Sequence, residues 1–243
     1  MDLTIDIGNT LCKAGVFDKN GDLVFFEKYE TLSLAQLEML CEKYPITRSI
    51  VASVREQNTD IENFLVAKTH HIPFSHASLL PVAIRYETPH TLGLDRIANA
   101  VAAHLHYPNE NTLSIQAGTC IVYDFIDNQG VYFGGAISPG IDMRFKALHY
   151  FTGKLPLVEK KEIIRYVGQN TQQSVKSGVI NGLIFEIEGF INQYKTDYPD
   201  LKVVMTGGDG DYLRKSIKNV IFAGSNFILK GLHEILKLNA EKI

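Results

Sequence analysis

The sequence predicts an α/β fold made of two similar lobes, and three observations carry that expectation. Segments rich in β-branched and aromatic residues alternate with segments of helical periodicity along the chain. A three-strand meander interrupted by a glycine turn opens the chain and returns about halfway along it, a separation too long for a solenoid repeat and suited to a duplicated domain. The length, 243 residues, allows between one and two domains.

Residues 3–7 and 11–17 read as strands split by Gly8-Asn9-Thr10. Asp18-Lys19-Asn20-Gly21-Asp22 is a strong hairpin turn, because Asn and Gly tolerate the backbone conformation a tight turn needs, and residues 23–29 return as the third strand. A helix over 33–44 with Ser33 as its cap, a strand over 49–54 and helices over 59–70 and 94–106 follow. The second copy runs from a strand at 112–116 through Gly118-Thr119 to a strand at 121–126, turns at Asp127-Asn128-Gln129-Gly130 and continues over 131–133. Beyond it lie a long helix at 171–194, a strand at 202–205 and a final helix at 226–240. Pro108 to Asn111 is the natural break, giving an N-terminal lobe of residues 1–110 and a C-terminal lobe of residues 111–243.

With 45% hydrophobic and 21% charged residues the composition is that of an ordinary globular protein. The balance of 24 basic and 27 acidic residues gives no electrostatic footprint for nucleic acid or an anionic membrane, which leaves small-molecule chemistry as the leading class. Cys12, Cys41 and Cys120 are odd in number and far apart, so they form neither a disulfide framework nor a CxxC pair, and a reducing compartment fits. No basic-then-apolar signal stands at the start and no apolar run reaches the ~18 residues of a membrane helix, so a cytoplasmic location is expected. GxxxxGK[ST], GxSxG, HExxH and GxGxxG are all missing, and His104 and His106, two apart on a helix, point to different faces and do not share a metal.

The glycine turns carry the chemistry. Matching turns from two lobes that face one another would make a cleft, and a glycine turn between strands exposes amides that cradle phosphate oxygens. Asp6, just before Gly8-Asn9-Thr10, is placed to hold a hydrated Mg²⁺ while the amides and the Thr10 hydroxyl face phosphate. Gly118 and Thr119 are placed to do the same from the second lobe. Thr206-Gly207-Gly208-Asp209, after a strand, lets a base or ribose lie close to the backbone. Alone, each reads equally as an ordinary turn glycine with a carboxylate bonded to local amides. Three together, two in repeated context, point to a nucleotide.

Several ordered motifs now matter: Asp6-Ile7-Gly8-Asn9-Thr10, the stretch from Tyr86 to Arg96 ending Gly93-Leu94-Asp95-Arg96, Ala117-Gly118-Thr119, Gly134-Gly135-Ala136-Ile137-Ser138-Pro139-Gly140, Thr171-Gln172-Gln173-Ser174 and Thr206-Gly207-Gly208-Asp209. The series resembles type III pantothenate kinases over nearly the whole chain. The GxDR and GGxIxPG elements are its most specific parts, separating that family from the rest of the acetate kinase, sugar kinase, heat-shock ATPase and actin superfamily. The resemblance implies duplicated ribonuclease H-like lobes of the actin-like ATPase fold. It also implies ATP-dependent phosphorylation of pantothenate to 4′-phosphopantothenate, the first step of coenzyme A synthesis, with ATP, Mg²⁺, a monovalent cation (K⁺ or NH₄⁺) and a homodimer.

By that resemblance Asp95 is the base, with Tyr86, Gly93, Leu94, Arg96 and Thr171 around pantothenate, the last reaching a neighbouring subunit's substrate. Gly8, Asn9, Thr10, Gly118 and Thr119 face phosphate, and Thr206, Gly207 and Gly208 lie near adenosine. Asp6, Gln116 and Asp124 are the metal candidates. The residues themselves leave other readings open: Asp95 as a plain helix-start carboxylate, Arg96 in a surface salt bridge, Tyr86 in ordinary packing, Asp124 as a polar strand residue, the small residues of the 171–194 helix packed on their own lobe. Lys13 reads as a phosphate contact or as part of a solvated strand face. One departure stands out: the family has Asp before xGT, and here the residue is Gln116, a neutral and longer side chain that holds a cation less well. It keeps two alternatives in view, a weakly active homologue and a nucleotide-binding regulator, beside a sugar or acetate kinase of the same superfamily.

Overall fold

Six consecutive buried residues, Asp2–Ile7, form β1, the central strand of the first sheet. Apolar Leu3, Ile5 and Ile7 alternate with polar Asp2, Thr4 and Asp6, and the buried polar side chains are satisfied: Asp2 and Asp6 are each paired with a base, and the Thr4 hydroxyl donates to Gly15 O at 3.3 Å. The computed structural model describes residues 1–55, 59–160, 166–218 and 220–241.

In chain order β1 is followed by β2 (Cys12–Phe17), β3 (Leu23–Tyr29), α1 (Leu34–Lys43), β4 (Arg48–Ser53), α2 (Thr59–Lys68), β5 (His70–Pro73), β6 (Ala83–Ile84) and α3 (Leu94–His106). Then come β7 (Thr112–Ala117), β8 (Cys120–Ile126), β9 (Val131–Pro139), α4 (Ile141–Tyr150), α5 (Thr171–Asp197), β10 (Lys202–Thr206), α6 (Gly210–Leu213), β11 (Ile221–Phe222) and α7 (Phe227–Ala240). The chain packs as two units, one of residues 1–109, 126–133 and 226 onward, the other of residues 110–125 and 134–225.

The first sheet has the order β3-β2-β1-β4-β5, with β1 antiparallel to β2 and parallel to β4. Its hairpin turn forms as the sequence predicts: the Asp18 carboxylate accepts hydrogen bonds from the amides of Asn20 (2.8 Å) and Asp22 (3.0 Å), and Gly21 takes φ +86°. Ser33 caps α1 in a capping box with Gln36. The second sheet has the order β11-β10-β7-β8-β9-β6; β7 and β10 are parallel, with Gln116 opposite Thr206.

Several elements differ from the sequence reading. The helix predicted over 59–70 stops at Lys68, and His70–Pro73 pairs in parallel with Arg48–Val51, because the backbone groups of a sheet edge outweigh local propensity. The strand predicted to end at 133 runs on to Pro139 through Gly134-Gly135, where a Cβ on Gly135 would lie 1.8 Å from the Tyr123 carbonyl oxygen; this glycine serves close strand approach and not a turn. The helices α4 and α6 and the two-residue strands β6 and β11 have no counterpart in that reading.

In the first unit α7 packs on α3, β1 and β4. Gly231 permits this, since a Cβ there would lie 1.9 Å from the Ala98 carbonyl oxygen. A buried clamp joins α7 to β1: Asp2 accepts from Arg48 (2.8 and 2.6 Å) and pairs with His233 Nε2 (2.9 Å), whose ring stacks on Phe17 at 4.2 Å. Burial would raise the Asp2 carboxyl, but the hydrogen bonds from His233 and Arg48 outweigh it and hold it far below the ordinary carboxylate range. A depressed acid contributes stability above its unfolded value and loses it only as pH falls through the folded one, so the clamp persists well into acid. Asp2→Ala is expected to cost about 3 kcal/mol at pH 7 by leaving Arg48 and His233 without their carboxylate, measurable by urea denaturation.

Candidate active site

In the first unit the end of β1 gathers the predicted residues. Asp6, 2% exposed, lies opposite Lys13 across the β1–β2 ladder, and Lys13 Nζ donates to its Oδ2 at 2.8 Å. Lys13 is therefore the ion-pair partner of Asp6 and not part of a solvated face. The turn that follows is closed by Gly8 N donating to Leu11 O at 3.1 Å, with Asn9 and Thr10 exposed. Parallel pairing sets Ile7 beside Ser53, which brings Arg55 to this turn, where its guanidinium donates to the Asn9 carbonyl at 2.6 Å. The sequence offered no signal for Arg55, because it is 46 residues away and belongs to none of the motifs.

Asp95 stands in the first turn of α3, after Gly93 at the cap. A Cβ on Gly93 would lie 2.5 Å from Asp95 Oδ1, so the glycine makes room for this carboxylate. Burial raises the Asp95 carboxyl, and the negative charge of Asp6 raises it further, against smaller lowering from the Arg96 amide and guanidinium. The two acids thus share one electrostatic environment, at the end of one strand and the start of one helix. Leu94 opens the helix beside them. Arg96 is buried, with its guanidinium 5.9 Å from the centre of the Tyr86 ring; Tyr86 in turn lies 6.3 Å from the Tyr132 ring.

In the second unit two glycine turns lock together. Asp209 N donates to Ala117 O (3.0 Å), Gly118 N to Cys120 O (3.0 Å) and Gly140 N to Thr119 O (3.0 Å). Gly207 has φ +101°, and a Cβ there would lie 2.1 Å from Ala117 O; one on Gly140 would lie 2.1 Å from Gly118 O. Gly208 has open space around its Cβ position. The Thr206 hydroxyl donates to Gly224 O at 2.7 Å, and Lys160 pairs with Asp209. Ala117-Gly118-Thr119 and Thr206-Gly207-Gly208, separate turns in the sequence, are thus one main-chain surface. Gly140, which supports it, sits in the GGxIxPG motif that the sequence reading did not place at the site.

Gln116 is half-buried at the end of β7, opposite Thr206. Asp124 is buried in β8, and its charge adds to burial in raising the Tyr194 phenol. Thr171 opens α5, exposed, after an Asn170 cap that accepts from Gln173 N at 2.9 Å. Among the described residues no group of three or more His, Cys, Asp or Glu could hold a metal by itself.

Two units of this kind, each with a mixed sheet and helices, are the architecture of the actin-like ATPase and sugar kinase class. Solved structures share it: a conserved Baf family protein of Campylobacter jejuni (TM-score 0.64, 24% identity, 98% of this chain and 99% of that one) and the activator of 2-hydroxyisocaproyl-CoA dehydratase from Clostridium difficile with bound ADPNP (TM-score 0.57, 14% identity, 99% and 94%). At these identities the likeness concerns fold. The type III pantothenate kinase family model matches residues 2–193. Type III pantothenate kinases of Phocaeicola vulgatus (45% identity, 98% of this chain, 99% of the relative) and Bacteroides fragilis strain YCH46 (44% identity, 100% of both) are full-length relatives. The chain belongs to the type III pantothenate kinase family, and this membership does not favour the reading as a nucleotide-binding regulator.

Proposed function

We infer that this chain transfers the terminal phosphoryl group of ATP to pantothenate, giving 4′-phosphopantothenate and ADP, the first step of coenzyme A synthesis. The observation that carries the residue assignment is Asp95 in the first turn of α3, given room by Gly93 and with the charge of Asp6 bearing on it: a half-buried acid raised from its ordinary value is a better proton acceptor than a solvated one. Asp95 takes the proton of the pantothenate hydroxyl as that oxygen bonds to phosphorus and the bond to the ADP oxygen breaks. Arg96, buried against Tyr86, orients the acceptor through charge-assisted hydrogen bonds to its carboxylate, with Gly93, Leu94 and Tyr86 shaping the pocket. Gly8, Asn9, Thr10, Gly118 and Thr119 bind phosphate through main chain and hydroxyl, and Lys13 keeps Asp6 in place. Thr206, Gly207 and Gly208 take adenosine against bare backbone.

The donor chemistry fits Mg²⁺: Asp6 is a buried carboxylate with a second acid bearing on it, and Mg²⁺ takes one or two carboxylates, phosphates and waters without a protein cage. When bound, the ion supplies charge neutralisation on the phosphates. Gln116 and Asp124 offer oxygens for K⁺ or NH₄⁺. Gln116→Asp is expected to raise kcat or lower the metal concentration for half-maximal rate severalfold, and equal constants across a metal titration would remove residue 116 from the working set.

A homodimer is supported by α5, where Gly178, Gly182 and Gly189 have open space at their Cβ positions, and by exposed Ile137 and Phe185. In that assembly Thr171 reaches the partner's substrate. Among the described residues no helix is long and apolar enough to cross a membrane. The test is ADP release in a coupled assay with K⁺ and Mg²⁺, with product mass confirmed: pantothenate-dependent release supports the reading, and release that needs a sugar or acetate instead overturns it.

A further inference from the structure

Arg55 lies outside every motif that points to the function, yet it is bonded to the first phosphate turn. Strands β1 and β4 run parallel and in register to Ile7↔Ser53, so both chains leave the sheet at the same carboxyl end, where ligands of open α/β sheets bind. There the Ser53 hydroxyl accepts from Arg55 N (3.2 Å) and donates to Arg55 O (3.1 Å), fixing the backbone, and the exposed guanidinium reaches over to donate to Asn9 O at 2.6 Å. A guanidinium has five N–H donors in a rigid fork, and this carbonyl takes one. Anchoring by a main-chain carbonyl also removes much of the side-chain freedom that binding a ligand would otherwise cost.

The charge around the turn asks for such a group. Lys13 is committed to Asp6, and Arg96 is buried on Tyr86. A phosphoryl group in transfer carries negative charge that a donor at the turn would stabilise, and with Lys13 and Arg96 so placed Arg55 is bonded to the turn itself. Asp95 and the 8–11 turn belong to one unit, and the charge of Asp6, two residues before that turn, bears on Asp95, so a phosphate held at the turn lies toward the proposed base. We propose that Arg55 is a further catalytic residue, its guanidinium held on the Asn9 carbonyl and donating to the phosphoryl group being transferred. This rests on the kinase reading above. It adds to that reading an arginine, supplied by the same chain, that stabilises charge on the equatorial oxygens in the transition state.

Full-length wild type, Arg55→Ala and Arg55→Lys distinguish the role. AMPPNP carries a terminal phosphoryl group and ADP lacks it, so titration calorimetry with each, in Mg²⁺, separates contact with that group from support of the turn. Arg55→Ala is expected to bind AMPPNP about tenfold more weakly with ADP within about twofold, and to lower kcat on the order of 100-fold. Arg55→Lys, which keeps charge but loses the fork, is expected to recover part of the AMPPNP affinity and little of kcat, and guanidinium chloride to rescue Arg55→Ala in part. Equal losses for ADP and AMPPNP would show that Arg55 only props the turn, and no loss for either would show that it does nothing there; both overturn the proposal. The AMPPNP and ADP contrast decides Arg55 whichever acceptor is phosphorylated. Pantothenate-dependent turnover that survives in Arg55→Ala would leave the kinase reading standing.

Discussion

Asp95→Asn is expected to lower pantothenate-dependent ADP release by about 10³-fold, the scale of losing a positioned general base. AMPPNP binding and the circular dichroism spectrum should be unchanged, because the amide has nearly the same shape and α3 keeps its Gly93 start. The pH dependence provides a second test. Asp95 acts only when ionised, and burial with Asp6 nearby places its protonation above the ordinary carboxylate value of 3.8. The acid limb of kcat/KM should therefore lie above that value, and it should move lower in Asp6→Asn. That variant removes the like charge together with the partner of Lys13 and the proposed Mg²⁺ ligand, so the position of the limb is compared and not the rate. The same environment sets the sign of a stability change. An acid whose folded pKa is raised favours the folded state when protonated and opposes it once ionised. At neutral pH Asp95→Asn should leave the thermal midpoint unchanged or raise it. A lowered midpoint together with lost activity would reduce Asp95 to a structural residue.

The fold was legible where local chemistry and tertiary structure agree. The Asp18–Asp22 hairpin, the Ser33 cap and the glycine start of α3 are decided by side chains within a few residues, and the chain forms them where the sequence predicts. What the sequence hides is decided by partners far away. His70–Pro73 becomes a strand only because β4 presents an edge, and Gly135 is a glycine only because Tyr123 lies against it. The site divides the same way. Asp6, Asp95 and the turn glycines stand in motifs, so their types and spacing announce them. Arg55 reaches Asn9 through a parallel register, and α7 returns to β1 through Asp2 and His233, separated by 231 residues. Neither contact leaves a trace in any short window of sequence.

The two adjacent glycines of the β10 turn are expected to respond in opposite ways. At Gly207 a Cβ would meet the Ala117 carbonyl oxygen at 2.1 Å, on a backbone at φ +101° that side chains rarely adopt, and the neighbour is main chain that cannot swing aside. Gly207→Ala must therefore displace the 117–119 turn itself. Its stability should fall by about 2 kcal/mol or more, and AMPPNP affinity by tenfold or more. At Gly208 a Cβ meets nothing within 4 Å, so Gly208→Ala should fold with an unchanged denaturation midpoint. Its effect on nucleotide then reports on the ligand alone. If adenosine lies against the bare backbone, the added methyl group weakens AMPPNP and ADP alike, since both carry the same base and ribose. Arg55→Ala is expected to separate those two ligands. Nucleotide binding by Gly208→Ala at wild-type strength would place adenosine elsewhere and leave Gly207 as a packing residue.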